Sequence, residues 1–330
     1  MRFSEKKKRQ SVNQLIKKIE QAERIALVGH IRPDGDCVGS CLGLYNYILD
    51  NYPEKKTDVY LQEIPESFNF LRGADLILHE TQSTVYDLAI SLDCGDTDRH
   101  GELSACYQTA ADTVCIDHHR SNQGFGDFFY CDPDASSTCE ILCRFLDHEK
   151  IGKCAAEALY LGIVHDTGVF KYPATTEDTM RIAGMLMSKG LDSQFIIDET
   201  FYKVTYKQNR LTGQALLNAK LYCGGKAIST CITREMFDAF DCSKQETEGI
   251  VDKLRVTEGV ELAVFIYHVK EDRYKYSLRS VKEIDVSTIA CNFGGGGHIR
   301  AAGFDYCGDP EEILSKVLSL AEEQWKQMGK

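Results

Sequence analysis

Apolar residues fall in short runs along the first half of the chain, and run after run closes on an acid or a histidine. Ile25 to Val28 is followed by Gly29-His30, Leu88 to Leu92 by Asp93, and Thr113 to Ile116 by Asp117-His118-His119. Short apolar or β-branched runs bounded by polar residues predict buried strands. Val59 to Leu61 predicts another, and Asp127 to Pro133 reads as extended and aromatic. Between these segments the period changes. Val38 to Leu49, Cys139 to Asp147 and Ala155 to Val164 predict helices, the second capped by Ser136-Ser137-Thr138 with Glu140 in its first turn. Thr175-Thr176 caps a helix that runs to Lys189, with Gly190 as its stop. At the start of the chain, Ser11-x-x-Gln14 reads as a capping box, and Val12, Leu15, Ile16 and Ile19 share one helical face.

The second half has a different pattern. Residues 191–218 are mixed and lack proline, which predicts a helical connector. Ala227 to Ile232 predicts a strand and Lys244 to Arg255 a helix. Val260 to Val269 and Arg273 to Ser280 predict a hairpin around Glu271-Asp272. Val286 to Phe293 reads as a short helix, broken by Gly294-Gly295-Gly296-Gly297-His298, and Glu311 to Trp325 as the last helix. The fold class is therefore α/β. A mainly parallel sheet with helices on both faces occupies residues 1–190, and a smaller α+β domain occupies 219–330, with the active site expected in the cleft between them. A length of 330 residues suits two domains.

Composition narrows the function. A net charge of −12 gives no general basic surface for long nucleic acid. Small anionic substrates stay open, because a metal site reverses the local sign. The 14 cysteines include no C-x-x-C pair, so they read as buried small hydrophobes in a reducing cytoplasm rather than zinc ligands. The tetrad Lys6-Lys7-Lys8-Arg9 has no apolar stretch behind it, so it reads as a solvated helix lead-in and not a signal peptide. No apolar run is long enough to span a bilayer.

Spacing decides how the loop after the first strand is read. His30, Asp34 and Asp36 stand at i, i+4 and i+6. On a helix they would not share a face, but on a loop bent by Pro33 and two glycines they can converge. The plainer alternative is an Asp-rich turn with Asp36 capping the next helix. Asp93 is the first polar residue after its run, with Asp96 as a cap for the next helix, and Asp166 closes a further apolar segment. Four segments thus bring His30, Asp34, Asp36, Asp93, His118, His119 and Asp166 toward one rim, where open α/β sheets bind ligands. So many carboxylates would repel one another unless cations neutralised them, and the set suits two ions rather than one. Mixed oxygen and imidazole ligation favours Mn²⁺ over Ca²⁺, with Mg²⁺ or Fe²⁺ as alternatives.

Five stretches carry a family resemblance: Gly29-His30-x-x-Pro33-Asp34-Gly35-Asp36-x-x-Gly39-Ser40, the strand end at Asp93, Asp117-His118-His119-x-x-Asn122, Asp166-Thr167-Gly168-x-Phe170, and Gly294-Gly295-Gly296-Gly297-His298-x-x-Ala301-Ala302-Gly303. They resemble, in order, the four motifs of the DHH phosphoesterases and the signature of the DHH-associated C-terminal domain. The nearest branch is the nanoRNase/pAp-phosphatase (NrnA-like) type. The resemblance implies 3′-to-5′ hydrolysis of short oligoribonucleotides and of 3′-phosphoadenosine 5′-phosphate (pAp), by a hydroxide bridging two metals. It implies one metal on His30, Asp34 and Asp93 and another on Asp36, Asp93, His118 and Asp166. Asp117 would orient an imidazole, and His119 would stand near the scissile phosphate.

The same resemblance makes residues 219–330 a substrate-binding domain. Glycine-run N–H groups can cradle an anion, with Gly295, Gly296, Gly297, His298 and Arg279 as its contacts. Arg120 and Asn122 are further phosphate candidates, and Phe170 and Tyr172 could stack a base or simply pack in the core. His165 has no assigned role. Rival readings are a phosphodiesterase for cyclic or linear dinucleotides, a pyrophosphatase, and a nucleotide sensor without turnover. A homodimer is carried as an expectation about assembly.

Overall fold

The computed structural model describes residues 14–329; Ser11, Val12 and the Lys6-to-Arg9 tetrad lie outside them. The described chain forms two compact units that divide after Lys203.

In the first unit, α1 (14–21) buries Leu15 and Ile19. Five strands come next: β1 (Arg24–Val28), β2 (Lys56–Tyr60), β3 (Leu88–Leu92), β4 (Asp112–Asp117) and β5 (Phe128–Cys131). They form one sheet in the order β2-β1-β3-β4-β5, and every pair is parallel. Parallel strands need covered faces, and β3 is buried along its whole length. One face packs against α2 (Gly35–Asn51), α4 (Thr138–Phe145) and α5 (Lys153–Asp166) in the main core. The other carries the shorter α3 (Ser104–Gln108) over Tyr60, Tyr86 and Ala89. The helices α6 (Glu177–Met187) and α7 (Ser193–Ile197) complete the unit.

Parallel topology puts the C-terminal ends of β1, β3 and β4 on one rim. His30, Asp93 and Asp117-His118-His119 stand there because of their place at the strand ends. Asp166 arrives differently, as the last residue of α5. The alternative reading of Asp36 as a helix cap does not hold: Asp34 caps α2, accepting from Cys37 N at 3.1 Å, and Asp36 lies inside the first turn.

In the second unit, α8 (Tyr206–Leu217) precedes a mixed sheet of β6 (Lys220–Tyr222), β7 (Ala227–Ile232), β8 (Leu262–Lys270), β9 (Arg273–Ser280), β10 (Gly296–His298) and β11 (Ala301–Cys307). Its order is β10-β11-β9-β8-β7-β6, and only β7 and β8 are parallel. The helices are α9 (Arg234–Phe240), α10 (Ile250–Arg255), α11 (Val286–Cys291) and α12 (Pro310–Gln327). The single helix expected from 244 to 255 is two pieces, because Gly249 takes φ 79° and starts α10 afresh. The half-buried α9, the β6 edge and the half-exposed β11 are not among the elements expected.

Candidate metal centre

His118 stands among three carboxylates. Its Nε2 lies 3.1 Å from Asp166 Oδ2, 3.5 Å from Asp93 Oδ1 and 3.9 Å from Asp36 Oδ2. These come from α5, the end of β3 and the first turn of α2. His30 completes the group on the far side of Asp93, with Nε2 3.5 Å from Asp93 Oδ2 and 3.7 Å from Asp34 Oδ1. Its Nδ1–H donates to the Ile31 carbonyl at 2.9 Å, which leaves Nε2 as the nitrogen that faces the carboxylates. Asp93 thus touches both imidazoles, one with each oxygen.

Asp36 and Asp93 are buried, at 0 % and 2 % exposure. Asp36 is held by the start of α4: Thr138 N donates to Oδ2 at 2.6 Å and Cys139 N to Oδ1 at 2.9 Å. A helix N-terminus offers unpaired N–H groups and favours an anion. Removing this carboxylate would strand two buried donors, about 1–3 kcal/mol each. Asp93 has φ 55°, uncommon for a residue with a side chain. Asp34 is mostly solvent-exposed.

The charges are strongly interdependent. Burial raises the carboxyl pKa of Asp36, and the Asp93 and Asp166 carboxylates raise it further. Burial also raises Asp166, against a pull from His118. Burial acts the same way on Asp93, but hydrogen bonds with His118 and His30 hold it well below the usual carboxylate range. On His118 burial disfavours the charged form, yet Asp166 and Asp93 outweigh it and push the imidazole up to about 12. For His30 burial again opposes the charged form, and Asp34 and Asp93 again outweigh it and raise the pKa. Such a site calls for positive charge, and its hard oxygens and imidazole nitrogens are donors for divalent cations. Among the described residues, ligand atoms lie within 4.8 Å of one another in three sets: His30, Cys37 and Asp93; Asp93, His118 and His119; and Asp36, His118 and Asp166. Cys37 was no candidate in the sequence, since it reads there as a buried helix residue.

His119 borders the group, its Nδ1 3.7 Å from Asp93 Oδ1, but commits that nitrogen to another carboxylate. Its Nδ1–H donates to Asp117 Oδ1 at 2.7 Å, and that hydrogen bond raises its pKa while burial opposes it. The other Asp117 oxygen accepts from Asn122 Nδ2 at 2.8 Å. Asn122 also donates to the Cys94 carbonyl and accepts from Gly124 N, so its amide is taken up inside the loop rather than presented to a ligand. Arg120 is exposed and paired with Asp134 at 3.1 Å. Phe170 packs against the core, while Tyr172 is exposed. His165 Nε2 lies 2.9 Å from Thr200 Oγ1 and accepts nothing from it, since that hydroxyl spends its own hydrogen on the Ile196 carbonyl; the imidazole N–H is the donor. Its ring is flanked by Phe68 and Phe201.

In the second unit, His298 and Arg279 both pair in register with Ala301, from opposite sides. Directly paired residues share a sheet face, so the two side chains stand in one row with a methyl group between them. Gly296, Gly297 and His298 are exposed. Gly295 approaches β11 closely: a Cβ there would lie 2.3 Å from the Gly303 carbonyl oxygen.

The DHH family, N-terminal domain, matches residues 24–163, and the DHHA1 domain matches residues 195–327. The chain is 30% identical over 318 residues to the bifunctional oligoribonuclease and PAP phosphatase NrnA of Bacillus subtilis (strain 168), covering 94% of this chain and 98% of that one. It is 27% identical to the cyclic-di-AMP phosphodiesterase PdeA of Listeria monocytogenes, covering 93% of this chain and 49% of that one. Among solved structures, an exopolyphosphatase-related protein from Bacteroides fragilis superposes with a TM-score of 0.83 at 29% identity, over 97% of each chain.

Proposed function

The chain belongs to the DHH family, with a DHHA1 domain in its second half, and from that premise we propose that this phosphoesterase hydrolyses short oligoribonucleotides from the 3′ end and pAp. The observation that carries the reading is the His118 imidazole within 3.9 Å of the Asp36, Asp93 and Asp166 carboxylates.

His30, Asp34 and Asp93 would hold one divalent cation, and Asp36, Asp93, His118 and Asp166 the other, Mn²⁺ being the metal the donor set suits best. When bound, two such cations supply Lewis acidity, activating water and offsetting charge on a phosphoryl group. The protein's own groups do the rest. His119, oriented by Asp117 through Nδ1 and favoured in its protonated form by that carboxylate, presents Nε2–H as a hydrogen-bond donor or acid for the departing oxygen. Asn122 acts on Asp117, not on phosphate. In the second unit Arg279 and His298 grip a further phosphate, with exposed glycine N–H groups beside them. Short substrates with two phosphate groups are the ones such a grip favours. The described chain has no helix long and apolar enough to cross a membrane, and its cysteines are free thiols, in keeping with a cytoplasmic protein.

The test is turnover with Mn²⁺ of pAp, a 5′-phosphorylated diribonucleotide, a long RNA, pyrophosphate and a linear dinucleotide of the kind released from cyclic di-AMP. Hydrolysis of pAp and the diribonucleotide with little on long RNA is the expected result. Turnover of pyrophosphate alone would sink the proposal. The resemblance to PdeA supports a second reading, in which the dinucleotide derived from a cyclic signal is the preferred substrate.

A further inference from the structure

The residue that opens α4 touches two carboxylates of the centre at once. The main-chain N–H of Thr138 donates to Asp36 Oδ2 at 2.6 Å, and its hydroxyl donates to Asp93 Oδ1 at 3.2 Å. The residue is fully buried. Within a helix a threonine hydroxyl has a ready acceptor in the carbonyl one turn back. Thr138 is the first residue of its helix, with Ser137 as cap, so no helical carbonyl lies one turn behind it. Its hydroxyl is free to turn away from α4, and β-branching leaves it few rotamers.

Asp93 needs a partner of this kind. His30 and His118 each reach it at 3.5 Å. An imidazole nitrogen that ligates a cation has no proton left to donate. With cations bound, neither Nε2 can hold Asp93 by a hydrogen bond. The Thr138 hydroxyl gives its proton whether or not a cation is present. Asp93 also starts from a left-handed backbone at the end of β3, where its N–H makes a last bond to the Ile116 carbonyl of β4 at 3.1 Å. A buried carboxylate shared by two ligand sets is the one whose direction matters most to both.

We infer that Thr138 is a positioning residue of the centre: its hydroxyl fixes the direction of the Asp93 carboxylate, while its main-chain N–H fixes that of Asp36. The inference rests on the two-cation reading above. It makes α4 more than a core helix, since its first residue ties two ligands that lie 57 positions apart in the chain to one rigid point.

The test is calorimetric titration of the full chain with Mn²⁺, using the unaltered protein, Thr138→Ser, Thr138→Val and Thr138→Ala. All three substitutions keep the N–H to Asp36, so they read the hydroxyl. Loss of a group that orients a metal ligand costs about 10- to 100-fold in metal affinity, and that loss is expected for valine and alanine, with serine restoring affinity to within a few-fold. Alanine serves if the added valine methyl prevents folding. Melting temperatures in chelator separate a structural role: a role in stability alone would lower them and leave Mn²⁺ affinity unchanged. Wild-type affinity in the valine or alanine variant would overturn the inference, and so would an equal loss in serine. Absence of Mn²⁺ binding in the unaltered protein would instead bring down the two-cation reading itself.

Discussion

His119 donates from Nδ1 to Asp117 at 2.7 Å, and Asp117 is itself fully buried. That carboxylate raises the His119 pKa, so the ring can carry a proton on Nε2 as well as the one on Nδ1. Replacing Asp117 with asparagine removes the charge that favours this doubly protonated form. General-acid contributions run to about 10²–10⁴-fold. Asp117→Asn is therefore expected to lower kcat by about that factor with metal content unchanged, as read by steady-state kinetics and metal analysis of the same sample. Full activity in the asparagine variant would remove His119 from the proton inventory.

Asp93 stands between His30 and His118, one oxygen toward each. A ligand shared by two sites cannot be lost from one alone. Asp93→Ala is expected to release both cations on dialysis and to abolish turnover. Asp34→Ala removes an exposed oxygen that faces His30 and also caps α2, and is expected to weaken one site. A single cation retained tightly by the Asp93 variant would contradict the shared role.

Why was so much of this centre legible from sequence? An apolar run of four or five residues closed at once by an acid or imidazole marks the rim end of a parallel strand, and Asp93 and Asp117 each obey that rule, with His30 one glycine further on. Chain order conceals contact across long separations. Thr138 and Asp36 are 102 positions apart, and locally Ser136-Ser137-Thr138 is only a helix cap. The same contact explains why Asp36 is not the cap of α2. Asp34 and Asp36 can both cap, and the choice falls to Asp34 because the start of α4 has already claimed Asp36. The α9 helix escaped for a different reason: at seven residues it is too short for a period to stand out, although Met236, Phe237 and Phe240 pack half-buried against the core.

Gly35 lies directly against His165, whose ring carbon would be 2.3 Å from a Cβ at that position. His165 cannot easily yield, being held by Thr200 and flanked by Phe68 and Phe201. Any side chain at residue 35 must push the loop bearing Asp34 and Asp36. Gly35→Ala is expected to weaken Mn²⁺ binding at least tenfold, a loss of about 1.4 kcal/mol. Trimming the obstacle with His165→Ala should restore part of it, so a double-mutant cycle reads the coupling. Strict additivity would deny the contact.

Arg279 shares its row with His298 across Ala301. A charge-assisted hydrogen bond is worth roughly 1.5–3 kcal/mol, which is about 10- to 100-fold in kcat/KM. Arg279→Ala is expected to lose that much on pAp while binding Mn²⁺ normally. Loss of metal together with activity would mark Arg279 as structural.

His100 is buried against Tyr107 and Phe125, with Nε2 2.8 Å from Ser91 Oγ and Nδ1 without a partner among the described residues. Burial depresses its pKa to about 4, against an opposing pull from Asp96. The unfolded chain, with an ordinary value near 6.5, takes up a proton first as the pH falls. The contribution is therefore complete above pH ~6.5 and is lost on the way down to about 4. The full loss is on the order of 3 kcal/mol. Urea unfolding at neutral pH and near pH 5 should show the unaltered protein losing more stability than His100→Gln, which cannot titrate. The glutamine amide keeps a partner for Ser91, so a difference in slope reports the proton and not the lost hydrogen bond. Equal slopes in the two proteins would mean that His100 is hydrated, or already charged, in the native state.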